Sequence, residues 1–161
     1  MSAAPRVWLA AREEADEVAR LLLAFRDWFG ADHPDEDAMR RSVGLLIGDP
    51  ATDYLLGAVA DDATPRGVCQ LRFRHSVWMS VDDCWLEDLF VEETARGGGL
   101  GRALVEAACE RARARGARRI ELDTNESNQA AIALYEACGF SAASKEHGAA
   151  SGRDLFFGRR L

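Results

Sequence analysis

A chain of 161 residues with 48% hydrophobic and 29% charged content is long enough for one domain with a sizeable core. It holds no run near the roughly 18 apolar residues of a membrane span. A net charge of −7 excludes the basic footprint of a nucleic-acid binder and accommodates a cationic ligand. Cys69, Cys84, Cys109 and Cys138 form no Cys-x-x-Cys pair, and His33, His75 and His147 show no metal-ligand spacing. Neither a disulfide framework nor a metal site is expected, and a cytoplasmic chain with reduced thiols is. The N-terminus lacks a signal pattern, since Arg6 precedes only a short apolar stretch before Arg12-Glu13-Glu14. Lys145 is the only lysine beside abundant arginine and alanine, a bias of GC-rich bacterial genomes.

A short strand is predicted at Val7–Ala10, then a helix from about Glu13 to Phe29 with Ala15, Val18, Leu22, Phe25 and Phe29 on one face and Gly30 as its stop. The acidic turn His33-Pro34-Asp35-Glu36-Asp37 caps a second helix carrying Met39, Val43 and Leu46, which ends at Gly48-Asp49-Pro50. Strands follow at Tyr54–Ala60 and Gly67–Trp78, joined by a hairpin turn at Asp61–Pro65, and a third strand runs from Cys84 to Val91. Leu100, Leu104, Ala107, Ala108 and Ala112 mark a helix over Leu100–Arg115 that Gly116 caps. A strand at Arg119–Thr124, a short helix at Asn128–Cys138 and final strands near Phe140–Ser144 and Asp154–Arg160 complete the chain. This is a mixed α/β domain spanning residues 1–161, with about seven strands flanked by about four helices and consecutive antiparallel strands in its first half.

Between the strand ending at Val91 and the third helix stands Arg96-Gly97-Gly98-Gly99-Leu100-Gly101-Arg102. A glycine-rich turn at a helix N-terminus leaves several backbone N–H groups unpaired, the helix dipole adds positive charge, and no Cβ obstructs a ligand. Phosphate or pyrophosphate suits such a turn, and Arg96 and Arg102 add cationic donors at its edges. The run is not a Walker A loop, because Arg102-Ala103 stands where Lys-Ser/Thr is required. Nor is it a Rossmann fingerprint, whose last position would fall on Arg102 or Leu104.

The Arg-Gly-x-Gly-Leu-Gly spacing after a Val-ending strand resembles the coenzyme A loop of the GNAT acyltransferase superfamily. A second segment, Asn125 to Phe140, is similar to the other signature of GNAT N-acetyltransferases: an Asn at a helix start, a Tyr further along, then Gly-Phe. The element order matches that family along essentially the whole chain. The resemblance implies an acetyl-CoA-dependent N-acetyltransferase that transfers directly in a ternary complex. It implies that backbone N–H groups of Gly97, Gly98, Gly99, Leu100, Gly101 and Arg102 hold the coenzyme A pyrophosphate, with Arg96 at the loop's edge. Leu89, Phe90 and Val91 would pair with the pantetheine arm and polarise the acetyl carbonyl. Asn128 matches the side chain that hydrogen-bonds the cofactor, Ala131 lies one turn further on, and Tyr135 matches the residue beside the thioester sulfur. Gly98 stands at the motif's variable position and should loosen the loop. The family also allows a homodimer.

Acetylation of an alkyl amine with a pKa of about 10 needs a proton acceptor, because the amine is mostly charged at neutral pH. Glu87 is the candidate, acting directly or through water, since Leu-Glu-Asp-Leu-Phe-Val is similar to the corresponding strand of polyamine-type acetyltransferases. An ordinary strand glutamate is the alternative. Asp88 is expected on the opposite face by strand alternation and is set aside. Tyr135 would protonate the leaving thiolate, or serve only as a core tyrosine. The cysteines read as small buried hydrophobes, and Arg111, Arg113, Arg115, Arg118 and Arg119 as a solvated helix face. Asp32, Asp35, Glu36 and Asp37 favour a small cationic amine such as a polyamine, diamine or aminoglycoside as acceptor if their turn is more than a solvated one. The alternatives are a protein N-terminus or lysine as acceptor, and a coenzyme A-binding sensor without turnover.

Overall fold

The computed structural model describes residues 4–60, 62, 64–142 and 159–160. In chain order these form β1 (Arg6–Leu9), α1 (Ala15–Trp28), α2 (Glu36–Leu46), β2 (Thr52–Ala58), β3 (Gly67–Ser76), β4 (Val81–Val91), α3 (Leu100–Ala114), β5 (Ile120–Glu121) and α4 (Gln129–Ala137). The strands lie side by side in sequence order, antiparallel from β1 to β4 and parallel between β4 and β5. The described residues thus hold five strands and four α-helices, against about seven strands expected. Phe140–Ala142 take no strand conformation, and the rest of the two expected C-terminal strands, apart from residues 159 and 160, falls outside the described residues. No described helix is long and apolar enough to cross a membrane.

Alternation along the strands divides the core into two layers. Tyr54, Leu56, Val68 and Phe90 face α1 and α2, where they meet Val18, Leu21, Leu22 and Val43. Leu55, Cys69, Leu71, Cys84 and Leu86 face the other way, onto Leu100, Leu104, Val105 and Ala108 of α3 and Tyr135 of α4. Each helix buries the stripe that its 3.6-residue period predicts. α3 can approach the sheet closely because β2 and β3 offer glycines beneath it. A Cβ at Gly57 would stand 2.8 Å from a Leu100 methyl, and one at Gly67 would stand 2.8 Å from a Leu104 methyl.

Ion pairs then fix the layers to each other. Asp53 on β2 accepts from Arg111 at 2.7 Å and Arg115 at 3.2 Å, clamping the C-terminal end of α3. Asp83 on β4 accepts from Arg119 at 2.8 Å. The arginine run is therefore not a plain solvated face, because three of its members tie α3 and the approach to β5 to the sheet. Just beyond β4, Glu92 takes Arg20 of α1 at 2.6 Å and Arg66 at 3.1 Å, so the strand end that leads into the glycine loop is held from both sides.

Candidate active site

The N-terminus of α3 is left open by its own sequence. Asp35 caps α2 by accepting from the Ala38 N–H at 2.7 Å, and Asn128 caps α4 by accepting from the Ala131 N–H at 3.2 Å. The corresponding position of α3 is Gly99, which has no side chain with which to cap. The N–H groups of Leu100, Gly101 and Arg102 therefore face outward from the first turn, where the helix dipole is positive. Gly97 at φ +80° and Gly99 at φ +83° take the left-handed conformation that the turn requires. A Cβ at Gly97, Gly98 or Gly99 would meet no protein atom within 4 Å, so the loop faces open space. Gly101 differs: its hydrogen faces a Leu134 methyl 3.2 Å from where a Cβ would stand, which lets α3 and α4 pack closely. Leu100 is buried in the core and presents only its backbone. Both flanking arginines are engaged within the chain, Arg102 with Glu106 at 2.8 Å and Arg96 with the Val91 carbonyl at 2.9 Å.

The loop continues into an open strand edge. β5 pairs with β4 only at Cys84 and Trp85, while β4 runs on to Val91. Beyond Trp85 the two strands part, leaving one edge of β4 without a β5 partner. The Glu92 N–H bonds the Arg66 carbonyl across β3, so alternation turns the N–H and C=O groups of Leu89 and Val91 towards the open side. An extended ligand can pair with such an edge as an added strand would. Tyr135, 9% exposed, approaches this gap from α4, with its ring 5.8 Å from that of Phe140. Burial above all pushes its hydroxyl up to about 12, so it stays protonated and available as a donor at neutral pH.

A bulge corrects the expectation for the two acidic residues of β4. The β3–β4 register steps from Gln70↔Asp88 to Leu71↔Leu86, so Glu87 is an extra residue with no partner. Side-chain alternation resets there. Cys84 and Leu86 face α3, but Leu89 and Val91 also pack against the α3 layer, while Phe90 faces α1. Asp88 consequently does not point away from the α1–α2 face as alternation from Glu87 required. It lines a cavity of about 370 Å³ between α1, α2 and the sheet, together with Gln70, Tyr54 and Phe25. Glu87 is exposed and stands apart, beside Arg72, Arg74 and Trp85. Burial first, then the charges of Glu87 and Asp123, push the Asp88 carboxyl up to about 6. Burial also raises the Tyr54 hydroxyl, so it remains a neutral donor beside that carboxylate.

The sequence nominated the loop, the β4 edge and Tyr135 as candidates, set Asp88 aside, and did not single out Gln70 or Tyr54. One signal was present. The apolar alternation of β4 runs through Cys84 and Leu86 and then changes phase to Leu89 and Val91, which is what an inserted bulge residue produces. Among the described residues, no group of three or more His, Cys, Asp or Glu could hold a metal ion.

A mycothiol acetyltransferase from Beutenbergia cavernae is 37% identical over 136 residues, covering 80% of this chain and 42% of that protein, so the chain spans less than half of that relative's length. An aminoglycoside N(6')-acetyltransferase type 1 from Stenotrophomonas maltophilia is 29% identical over 143 residues, covering 87% of this chain and 88% of its own. A crystal structure of a candidate acetyltransferase from Arthrobacter sp. FB24 superposes with a TM-score of 0.82 at 30% identity, covering 98% of this chain and 96% of that one. The family-wide sequence model of the acetyltransferase (GNAT) family matches residues 8–140, which takes in the bulged strand, the glycine loop and Tyr135. The chain belongs to the acetyltransferase (GNAT) family.

Proposed function

We propose that this protein is an N-acetyltransferase that moves an acetyl group from acetyl-CoA to a primary amine of a small molecule, by direct transfer with both substrates bound. The observation that carries the reading is the junction of an uncapped, glycine-opened helix N-terminus with an unpaired strand edge. That junction suits a ligand with a pyrophosphate at one end and an extended amide-bearing arm at the other. In this reading the N–H groups from Gly97 to Arg102 hold the pyrophosphate, and the edge groups of Leu89 and Val91, flanking Phe90, take the arm. The Arg96 guanidinium leaves the Val91 carbonyl when the arm arrives, and the Asn128 amide NH₂, which its cap does not use, donates to the arm near Ala131.

Bound acetyl-CoA supplies an activated acetyl thioester. The chain supplies the proton transfers. We assign proton acceptance to Asp88 rather than Glu87, because Asp88 lines the cavity that an acceptor would enter and Glu87 does not. A carboxylate raised towards neutrality takes a proton from an ammonium more readily than an ordinary one, whose pKa is about 4. The leaving thiolate receives its proton from the Tyr135 hydroxyl on the other side of β4, and the second proton lost by the nitrogen restores that hydroxyl. In sum, an ammonium ion yields an amide, a thiol and one proton released through Asp88. The exposed carboxylate of Glu87 holds negative charge next to Asp88 and tunes it.

The test is binding followed by turnover. Saturating acetyl-CoA should raise the melting temperature, since a native-state ligand at 100 times its Kd adds about 2.7 kcal/mol. Thiol release should then depend on an added amine. An unchanged melting temperature counts against the loop reading. Binding without amine-dependent thiol release would favour a sensor domain.

A further inference from the structure

The cavity between α1 and α2 limits the kind of amine that could enter it. Much of its wall is apolar, including Leu22, Phe25, Phe29, Met39, Val43 and Leu46. Among the described residues Asp88 is its only carboxylate, Gln70 and Tyr54 beside it are uncharged, and Ser42 of α2 and His33 complete its polar lining besides Arg26. The cationic wall residue Arg26 is already satisfied, by Asp27 at 2.6 Å and the Pro34 carbonyl at 2.7 Å. None of the acidic-turn carboxylates Asp32, Asp35, Glu36 and Asp37 lines the cavity, and three of them are used locally. Asp35 caps α2, Glu36 pairs with Arg40 at 2.9 Å, and Asp32 pairs with His33 at 3.0 Å. An aromatic cluster leads outward from the site. Phe90 lies 5.1 Å from Phe25, Phe25 4.7 Å from Phe29, and Phe29 5.2 Å from Trp28, whose ring carries the Arg96 guanidinium at 5.2 Å. At the outer end, Trp28 is 48% and Phe29 63% exposed, so apolar surface is left in water at the cavity mouth.

We propose that the acceptor is a monoamine on an aryl or branched-alkyl body, its ammonium against Asp88 and its body against Phe25, Phe29, Met39 and Leu46. The inference rests on the N-acetyltransferase reading and narrows it. One carboxylate matches one ammonium. A polyamine would carry further charges into an apolar wall that offers them no partner, which is strongly unfavourable. A polyhydroxylated aminosugar carries more hydroxyl groups than Ser42, His33, Tyr54 and Gln70 can meet, and would leave the rest facing leucine, methionine and phenylalanine. The volume, near the lower end of the roughly 300–1,000 Å³ usual for small-molecule sites, also favours a compact body. Ring stacking on Phe25 and Phe29 would cover surface that is otherwise wet.

The full chain is titrated calorimetrically, alone and with coenzyme A, against phenethylamine, spermidine and phenethyl alcohol. Thiol release from acetyl-CoA is measured with both amines. Phenethylamine should bind about ten-fold tighter than either other probe, and its kcat/KM should exceed that of spermidine by a similar factor. Phe29→Ser, at a position too exposed to endanger folding, should raise KM for phenethylamine about ten-fold while leaving KM for acetyl-CoA unchanged. Three results each overturn the proposal: spermidine binding as tightly as phenethylamine, the alcohol binding as tightly as the amine, or Phe29→Ser leaving the phenethylamine KM unmoved. Preferred acetylation of spermidine would refute the acceptor class and leave the acetyltransferase standing. Phenethylamine binding without acetyl-CoA binding would refute the acetyltransferase and leave the cavity assignment standing.

Discussion

On the α3 side of β4 the candidate site is made of backbone: three glycines, a first helical turn without a cap, and the N–H and C=O groups of Leu89 and Val91. On the α1–α2 side it is made of side chains drawn from four elements, with Asp88 from β4, Gln70 from β3, Tyr54 from β2 and Phe25 from α1. Backbone sites need a fixed run of small residues at fixed spacing, because the chain itself must come close to the ligand. Side-chain sites need only that a few atoms meet in space, and sequence separation leaves no mark on that. The first half is thus written as a motif, and the second is an outcome of packing. The contrast also separates their chemistry: a common donor suits the half that is the same whatever the acceptor, and specificity belongs to the half whose residues are free to change.

The largest effect expected is on the backbone half. Gly99→Asp places a Cβ and a negative charge in the cradle, and calorimetry should detect no acetyl-CoA binding. The unliganded fold should lose only about 1–2 kcal/mol, the strain of a non-glycine residue at positive φ, because the Cβ meets no protein atom. Gly98→Ala is its counterpart. Gly98 has open space and no positive φ, so this variant should keep both its stability and its acetyl-CoA affinity. Equal binding by Gly99→Asp and wild type would end the assignment of this loop.

Next come the two groups proposed for proton transfer, on opposite sides of β4. Asp88→Asn and Tyr135→Phe should each lower kcat by about 10²–10⁴-fold, with acetyl-CoA affinity preserved. Their stabilities should diverge. The Asp88 carboxyl binds its proton more tightly folded, at about 6, than in an unfolded chain, where 3.8 is ordinary. Between those values the native state holds the extra proton, so stability falls as pH rises, and above about 6 the buried charge persists as a cost. Asp88→Asn removes that cost, so at pH 7.5 the variant should melt higher than wild type, by up to about 3 kcal/mol for a shift of two pKa units. Below pH 4 the two should converge. A variant that is less stable at neutral pH would make Asp88 a structural residue.

The smallest effect tests the field between the halves. Wild-type kcat/KM should show an acidic limb near pH 6, where Asp88 takes up its proton. Removing the neighbouring negative charge lowers the Asp88 pKa, so Glu87→Gln should move that limb to lower pH by less than about one unit. Its plateau kcat should stay close to wild type. A collapse of the plateau instead would restore Glu87 as the proton acceptor and remove Asp88 from that role.

The sequence by itself determined the elements from β1 to α4, because each carries its own period, cap or stop: Asp35 before α2, glycines around α3, Asn128 before α4. It also made the backbone half of the candidate site legible, since local glycine content controls both where a cap is missing and where a ligand can approach. Only the tertiary structure decided which acidic residue enters the cavity. That choice depends on one unpaired residue at Glu87, which reverses every later side chain of β4 and is set by pairing with β3 rather than by any local preference. The roles of the arginines were likewise decided by contact, as Arg111 and Arg115 became clamps on Asp53. A charge on a surface helix or turn reads the same in sequence whether it meets water or a partner, and only folding brings the partner near.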